Sequence, residues 1–293
     1  MLRRVLEARI RDYAPANALE QENVLQEIMQ HYVLAGLSRS GLFSDAMFHG
    51  GTCLRIVYGM SRFSEDLDFL LKKPDPNFEW QRHLEAVGKD CASEGIHFDV
   101  LDKSAAAATA RKAFLKTDSI GKILTPDLPF ERHTGRKIRI KLEINTNPPR
   151  GSEFSTSYIT FPVTAPLTTQ TLESGFARKL HALLCRGYVK GRDWYDFVWY
   201  VSRGTRPHLP LLADALRQQG PWAGQDIDVS PSWLHEKMEQ AIQRIDWETA
   251  KDDVRRFLPQ PEQEGLAAWT ADFFLYHLAR MSLSGGRHGR DGP

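Results

Sequence analysis

The chain has 293 residues, of which 42% are hydrophobic and 26% charged, and its formal net charge is +1. This composition is typical of a globular protein with one large domain or two modest ones. No apolar stretch approaches the ~20 residues that a membrane span needs. The three cysteines are scattered without metal-ligand spacing, which argues against structural zinc and indicates a reducing compartment. We therefore expect a cytoplasmic protein that does not enter a membrane.

The N-terminal half alternates between helical and strand patterns. Apolar residues recur at helical spacing over 19–40, whereas residues 137–145 alternate strictly between apolar and charged side chains, as in a half-buried strand. The predicted elements, in order, are a helix at 19–40, a strand at Phe48, a short helix at 52–58, a strand at 67–71, a helix at 84–93 and strands at 97–101 and 137–145.

A glycine pair opens the short helix. Glycine has no Cβ, so the backbone at Gly50 and Gly51 can approach a phosphate closely, and N–H groups at the start of a helix favour anions. We therefore expect these two glycines and the hydroxyl of Thr52 to line a triphosphate. Arg55 and Ser64 are further candidates for phosphate contacts, although they could equally be a surface arginine and the cap of a turn.

Two carboxylates follow in a segment that is otherwise apolar. Asp66 and Asp68 stand at i and i+2, so in a strand their side chains share one face, roughly 6.6 Å apart. Oxygen ligands in this arrangement suit Mg²⁺ shared with a substrate phosphate, in a site with one or two metal ions. Glu143, on the alternating strand, is the candidate for a third ligand. It could also belong to the solvated face of that strand.

The C-terminal half is predicted to be helical. Prolines and threonines between 148 and 171 mark the passage to helices at 172–185, 193–201, 209–219, 232–245, 248–257 and 266–281. We expect an α/β domain over 1–165, a helical domain over 166–283, and a Gly- and charge-rich tail over 284–293 that is disordered.

Two pairs of motifs carry a resemblance to a known family. The runs from His49 to Gly59 (HGGTCLRIVYG) and from Arg62 to Phe69 (RFSEDLDF) resemble the AbiEii/MenT family of nucleotidyltransferase toxins, which belongs to the DNA polymerase β-like superfamily. Downstream, ARKLHAL (177–183) and KGRDWYD (190–196) resemble the Lys motif and the Arg-Asp-x-x-Asp motif of that family.

The resemblance implies a polymerase β-like α/β (α+β) half with a mixed sheet, followed by a helical half. It also implies transfer of a nucleoside monophosphate from an NTP with Mg²⁺ as cofactor, and neutralisation by a separately encoded antitoxin. Lys179 would serve the triphosphate. Asp193 or Asp196 would contribute by orienting Lys179 or by accepting a proton from the attacking hydroxyl, and the sequence leaves open which of the two does so.

The charge pattern indicates which kind of molecule accepts the nucleoside monophosphate. Three basic stretches contain no acidic residue, and phosphate contacts dominate nucleic-acid binding; their members are Lys103, Arg111, Lys112 and Lys116, then Arg132, Arg136, Lys137, Arg139 and Lys141, then Arg178, Lys179, Arg186, Lys190 and Arg192. Relatives in the family modify the 3′ end of tRNA, and a tRNA acceptor fits this pattern. A protein or small-molecule acceptor, and an inactive nucleotide-binding module, are the alternatives.

Overall fold

The computed structural model describes residues 2–103, 109–117, 128–130 and 137–283. The chain divides into two compact units: the first contains Met1–Pro148, Ser152–Thr171 and Arg255–Glu264, and the second contains Pro149–Gly151, Leu172–Val254 and Gly265–Pro293. The tail over 284–293, which we expected to be disordered, lies outside the described residues. None of the described helices is long and apolar enough to cross a membrane.

The first unit is built on a sheet of seven strands. They are β1 (Ala46–His49), β2 (Asp66–Leu71), β3 (Asp99–Asp102), β4 (Ala110–Thr117), β5 (Ile138–Asn145), β6 (Phe154–Ile159) and β7 (Ala165–Gln170). Their order in the sheet is β3-β4-β5-β2-β1-β7-β6. The β2–β5 and β1–β7 pairs are parallel and the other pairs antiparallel. This mixed sheet with helices confirms the predicted α/β class.

Five helices of this unit are α1 (Leu2–Tyr13), α2 (Ala18–Arg39), α3 (Leu42–Asp45), α4 (Gly50–Ile56) and α5 (Gln81–Ser93), and a further short helix covers Gln260–Gln263. The central helix α2 begins where the side chain of Asn17 accepts the backbone N–H of Glu20, which satisfies one of the free N–H groups at a helix start. Its middle, including Ile28 and Val33, is fully buried. The predicted helix over 19–40 is therefore confirmed.

One face of the sheet is apolar and forms the core. On β5 the residues Ile138, Ile140, Leu142 and Ile144 are buried and alternate with polar positions. On the neighbouring strands Phe48 and Phe69 pack ring to ring at 5.5 Å, and Phe69 also contacts Trp80 just before α5. The polar positions of β2 and β5 consequently lie on the opposite face.

Three strands were not predicted. In β4 the basic residues Lys112 and Lys116 alternate with Ala113 and Leu115, which are fully buried; we had interpreted this segment only as a basic stretch. In β7 the segment containing Pro166 was interpreted as a passage to the helical region. Proline is tolerated in a strand where its missing N–H is not needed by the ladder, so β6 and β7 form a hairpin there.

The second unit is helical, as predicted for this part of the chain. Its helices are α6 (Leu172–Cys185), α7 (Gly191–Ser202), α8 (Leu209–Gln218), α9 (Pro231–Arg244), α10 (Trp247–Arg255) and α11 (Ala271–Ala279). An aromatic cluster holds three of them together: the rings of Trp247 and Phe274 stack at 4.0 Å, and Trp194 contacts both edge-on. At the start of α7, a Cβ on Gly191 would lie 1.8 Å from the carbonyl oxygen of Ala250, so only glycine allows this approach.

The single helix predicted over 266–281 is wrong. A 3₁₀ turn covers Glu264–Ala268, and α11 begins afresh after Thr270, whose hydroxyl accepts the N–H of Phe273. A side chain that caps a new helix competes with continuation of the preceding turn. The apolar residues keep their helical spacing across this break, and for this reason the spacing predicted a single helix.

Candidate active site

The first unit brings three carboxylates to one face of the sheet. Asp66 and Asp68 stand at the start of β2, and Cα pairing places Asp66 opposite Lys141 and Asp68 opposite Glu143 on the parallel strand β5. Laterally paired residues of a sheet point to the same side. The predicted ligands Asp66, Asp68 and Glu143 therefore share the polar face, with half-buried side chains.

Lys141 lies among these carboxylates. Its Nζ donates to Asp66 Oδ2 at 3.3 Å and lies 2.9 Å from Glu143 Oε2, while Lys112 Nζ lies 3.7 Å from the same Glu143 oxygen. Burial by itself lowers the pKa of Lys141, but the hydrogen bond to Glu143 and the charges of Asp66 and Asp68 outweigh it and raise the pKa above its ordinary value. The group is thus a positive charge held by three negative ones.

The glycine pair packs directly against this cluster. Gly50 has φ +79°, in the region that favours glycine, and a Cβ there would lie 2.8 Å from Asp68 Oδ2. A Cβ on Gly51 would lie 2.5 Å from Arg62 Nη2 and 2.9 Å from Ser64 Oγ. The turn therefore brings the backbone into contact with one catalytic candidate, Asp68, and with the buried guanidinium of Arg62.

Thr52 and Ser64 help to fix the turn to the sheet. Thr52 is fully buried, and its hydroxyl donates to the carbonyl oxygen of Asp66. The carbonyl oxygen of Ser64 accepts from the side-chain amide of Gln30 on α2 at 2.8 Å, while its hydroxyl faces Gly51. In this structure the hydroxyl of Thr52 thus ties α4 to β2.

Arg55 is held within a different cluster. Its Nε donates to Glu27 Oε2 at 2.8 Å, and its Nη1 donates to the carbonyl oxygens of Met60 and Ser61. Its guanidinium also lies 4.4 Å from the centre of the Phe63 ring. The structure therefore engages this guanidinium with a buried carboxylate and the loop before β2, whereas Arg62 is the arginine beside the glycine pair.

The donor chemistry of the carboxylate cluster fits a hard divalent cation. Among the described residues no three His, Cys, Asp or Glu side chains form a ready metal-ligand group. The ammonium group of Lys141 lies between Asp66 and Glu143. The carboxylate oxygens that bind this ammonium group are of the kind that Mg²⁺ prefers.

The predicted lysine and aspartates meet in the second unit. Lys179 Nζ on α6 donates to Asp193 Oδ1 at 2.6 Å and lies 2.7 Å from Asp196 Oδ2, both on α7. The Asp196 side chain is 0% exposed and that of Lys179 14%. Asp193 and Asp196 share a helix face through their i, i+3 spacing, so one lysine reaches both.

Further cations surround Asp193. Arg186 Nε lies 3.1 Å from its Oδ2, although without hydrogen-bond alignment. Burial alone raises the pKa of Asp193, but the charges of Lys179, Arg186 and Lys190 overcome it and hold the pKa at about 2. A carboxylate with so low a pKa is a weak proton acceptor near neutral pH.

Sequence reasoning missed several residues that lie beside the glycine pair and the carboxylates of the first unit. Arg62 was quoted within a motif but not proposed as a site residue, and it is only 2% exposed. The alternation over 137–145 predicts Lys141 on the same face as Glu143, but neither Lys141 nor Lys112 is among the predicted site residues. For Lys141 the available signal was its i, i+2 spacing from Glu143 on the alternating strand. Lys112 lies beside Glu143 only because β4 pairs with β5, which the sequence alone did not reveal.

Comparison with known proteins identifies a family for this chain. The model of the family described as "Nucleotidyl transferase AbiEii toxin, Type IV TA system" matches residues 32–275. No curated protein matched the chain. Among solved structures, JHP933 from Helicobacter pylori has a TM-score of 0.54 at 18% identity, covering 88% of this chain and 91% of that one.

A second structure from H. pylori, provisionally described as a nucleotidyltransferase, has a TM-score of 0.50 at 16% identity, covering 88% of this chain and 99% of its own. At these identities the likeness bears on the fold alone. The seven-stranded mixed sheet fits the polymerase β-like fold that the sequence predicted.

Proposed function

The chain belongs to the AbiEii family of nucleotidyltransferase toxins of type IV toxin–antitoxin systems, and from this premise we propose that it transfers a nucleoside monophosphate from an NTP to a hydroxyl at the 3′ end of tRNA. A tRNA blocked in this way no longer supports translation, so growth stops. We place this reaction in the cytoplasm. Membership of the family implies an NTP substrate and an antitoxin partner.

The observation that carries the proposal is the register between β2 and β5. It puts Asp66, Asp68 and Glu143 on one face, and Gly50 packs its backbone against the carboxylate of Asp68. A phosphate received at the glycine pair is then next to the carboxylates. Nucleotidyl transfer requires this juxtaposition, because a metal must be shared between protein carboxylates and the triphosphate.

We assign Asp66 and Asp68 as the residues that hold Mg²⁺, with Glu143 as the third ligand. When bound, Mg²⁺ supplies positive charge that stabilises the attacking oxygen and the pyrophosphate leaving group. Gly50 keeps the carboxylate of Asp68 against the turn, and Thr52 fixes the start of β2. Lys141 pairs with Asp66 and Glu143, and it would be available to a phosphate if these carboxylates held the metal.

In the second unit we assign Lys179 to the triphosphate and Asp196 to its orientation. Asp196 is completely buried and bonds to Lys179, which fixes the ammonium group in one position. The low pKa of Asp193 disfavours the alternative in which this residue accepts the proton of the attacking hydroxyl. Both aspartates are therefore positioning residues in this proposal.

The polar face of the sheet supports a nucleic-acid acceptor. Strand pairing places Lys112 beside Glu143 and Lys116 beside Arg139. Together with Lys141, these make four basic residues on the face of the carboxylates. The guanidinium of Arg139 covers the ring of Phe114 at 4.3 Å. These four positive charges suit contacts with the phosphates of a nucleic acid.

The experiment incubates the purified protein with each α-³²P-labelled NTP, Mg²⁺ and either total tRNA or total protein. We expect label at the 3′ end of tRNA with one or a few NTPs. Asp66→Asn should abolish labelling, whereas Asp99→Asn, which removes an exposed carboxylate of the same sheet paired with Lys137, should retain it. Label in protein alone would overturn the tRNA acceptor and favour a protein acceptor. Equal labelling by wild type and Asp66→Asn would overturn the enzymatic proposal.

A further inference from the structure

A small pocket in the second unit contains Tyr188, Lys190 and Arg244, to which no role has been assigned above. Its volume is about 250 Å³, and it lies where α6 ends and α7 begins. Its polar lining consists of Arg186, Tyr188, Lys190, Asp193 and Arg244. The pocket is therefore strongly basic, with one carboxylate against three cations.

That carboxylate is already engaged. Asp193 bonds to Lys179 and pairs with Arg186. Lys190 and Arg244 have no ion pair within the part of the chain that the structure describes. Burial, reinforced by the charges of Arg192, Lys179 and Arg186, lowers the pKa of Lys190 despite the opposing effect of Asp193. An anion bound in the pocket would offset this unfavourable charge.

Tyr188 adds an aromatic surface beside the cations. It is 66% exposed, so its ring is accessible to a ligand. The guanidinium of Arg186 lies 4.9 Å from its ring centre and donates to its hydroxyl, so the ring is held in place. A fixed, exposed ring next to unpaired cations is the arrangement on which a nucleic-acid base stacks while its phosphate is bound.

We infer that this pocket binds a nucleotide, with its phosphate on Lys190 and Arg244 and its base on the ring of Tyr188. The inference rests on the proposed function for its relevance, but not for its test. The volume is below the ~300–1,000 Å³ of sites that enclose a whole drug-sized ligand. It suits one phosphate and its sugar, with the base outside on Tyr188. The nucleotide can be the free NTP or one residue of a nucleic-acid strand.

The test measures binding by the full-length chain carrying Asp66→Asn, so that no turnover is required. The probes are the four NTPs, titrated calorimetrically, and a fluorescein-labelled RNA hexamer of mixed sequence, followed by anisotropy. Lys190→Gln and Arg244→Gln should each weaken one class of probe about tenfold, the equivalent of one charged hydrogen bond. Tyr188→Ala should weaken the same probe, and Tyr188→Phe should not.

Lys237→Gln is the matched control, because it removes a positive charge from α9, as Arg244→Gln does, but away from the pocket. Weakening of NTP binding alone assigns the pocket to the substrate nucleotide. Weakening of RNA binding, with a salt slope reduced by about 0.7 per lost phosphate contact, assigns it to the acceptor strand. Wild-type affinity for both probes in all pocket variants would overturn the inference.

This outcome is separable from that of the transfer experiment. If no NTP is transferred but the pocket variants lose affinity, the nucleotide site stands and the proposed function fails. If transfer occurs but the affinities do not change, the proposed function stands and the pocket inference fails. Melting temperatures of the variants identify any loss of affinity that comes from unfolding.

Discussion

The two units each hold a lysine between carboxylates, but in different surroundings. In the first unit Lys141 lies between Asp66 and Glu143, and the side chains of the three residues are 26–37% exposed. In the second unit Lys179 lies between Asp193 and Asp196, whose side chains are 5% and 0% exposed. Charges that solvent can reach exchange partners at little cost, whereas breaking a buried pair leaves an uncompensated charge. The first cluster is therefore suited to exchanging the partners of its lysine, and the second to holding its lysine in one position.

The largest expected effect tests the cluster around Lys141 in the first unit. Asp68→Asn removes the charge of a proposed metal ligand and should lower kcat/KM for nucleotide transfer by about a thousandfold, since metal stabilisation of the transition state is worth several kcal/mol. The free energy of unfolding in urea should change little. A variant that loses activity only in proportion to a loss of folded protein would contradict the functional assignment of this cluster.

The buried cluster should respond in the opposite way. Asp196→Asn should lower the free energy of unfolding by about 3 kcal/mol, because Lys179 loses one of two buried counter-charges. Urea denaturation measures this change. Glu248→Gln serves as the comparison, since Glu248 pairs with Lys251 while 81% exposed, and it should shift stability by less than about 1 kcal/mol. Equal effects of the two substitutions would remove the distinction between the clusters.

Acid should also destabilise the protein through the buried cluster around Lys179. The pKa of Asp193 is about 2 in the folded protein and lies below its ordinary value of 3.8, so its stabilising contribution is present above pH ~4 and is lost as the pH falls towards 2. This contribution is about 2 kcal/mol. Urea denaturation at pH 4, 3 and 2.5 should show wild type losing more stability than Asp193→Asn. Parallel losses in the two proteins would show that other groups account for the acid sensitivity.

The smallest expected effect tests whether Lys141 competes with Mg²⁺ for the carboxylates. Lys141→Gln removes the cation between Asp66 and Glu143, so Mg²⁺ no longer has to displace it, and binding of Mg²⁺ by the protein without nucleotide should tighten about tenfold. Calorimetric titration with MgCl₂ measures the affinity. Lys137→Gln, which removes a charge paired with exposed Asp99, should leave it unchanged. Weaker binding by Lys141→Gln would mean that Lys141 organises the carboxylates and does not compete for them.

The parts of this structure that the sequence predicted are those with local causes. The alternation on β5 and the i, i+2 spacing of Asp66 and Asp68 depend on neighbours in the chain, and both elements were found where expected. The helix break at Thr270 has a local cause too, but apolar periodicity continues across it and hid the cap.

What the sequence did not predict depends on partners far along the chain. The burial of Arg62 follows from the packing of the glycine turn against it, and nothing in its neighbours distinguishes it from an exposed arginine. The role of Lys112 follows from strand β4, which its basic side chains concealed. The placement of Lys141 between carboxylates requires the pairing of β5 with β2.

That pairing has a consequence for the moment at which the chain becomes active. Asp66 and Lys141 are 75 residues apart in sequence, and their strands are parallel, so no local hairpin brings them together. Contacts of such long range form late, after the entropy of closing the loop has been overcome. During synthesis, the N-terminal motifs leave the ribosome well before β5 does. The nascent chain therefore carries these motifs before its sheet brings their side chains together.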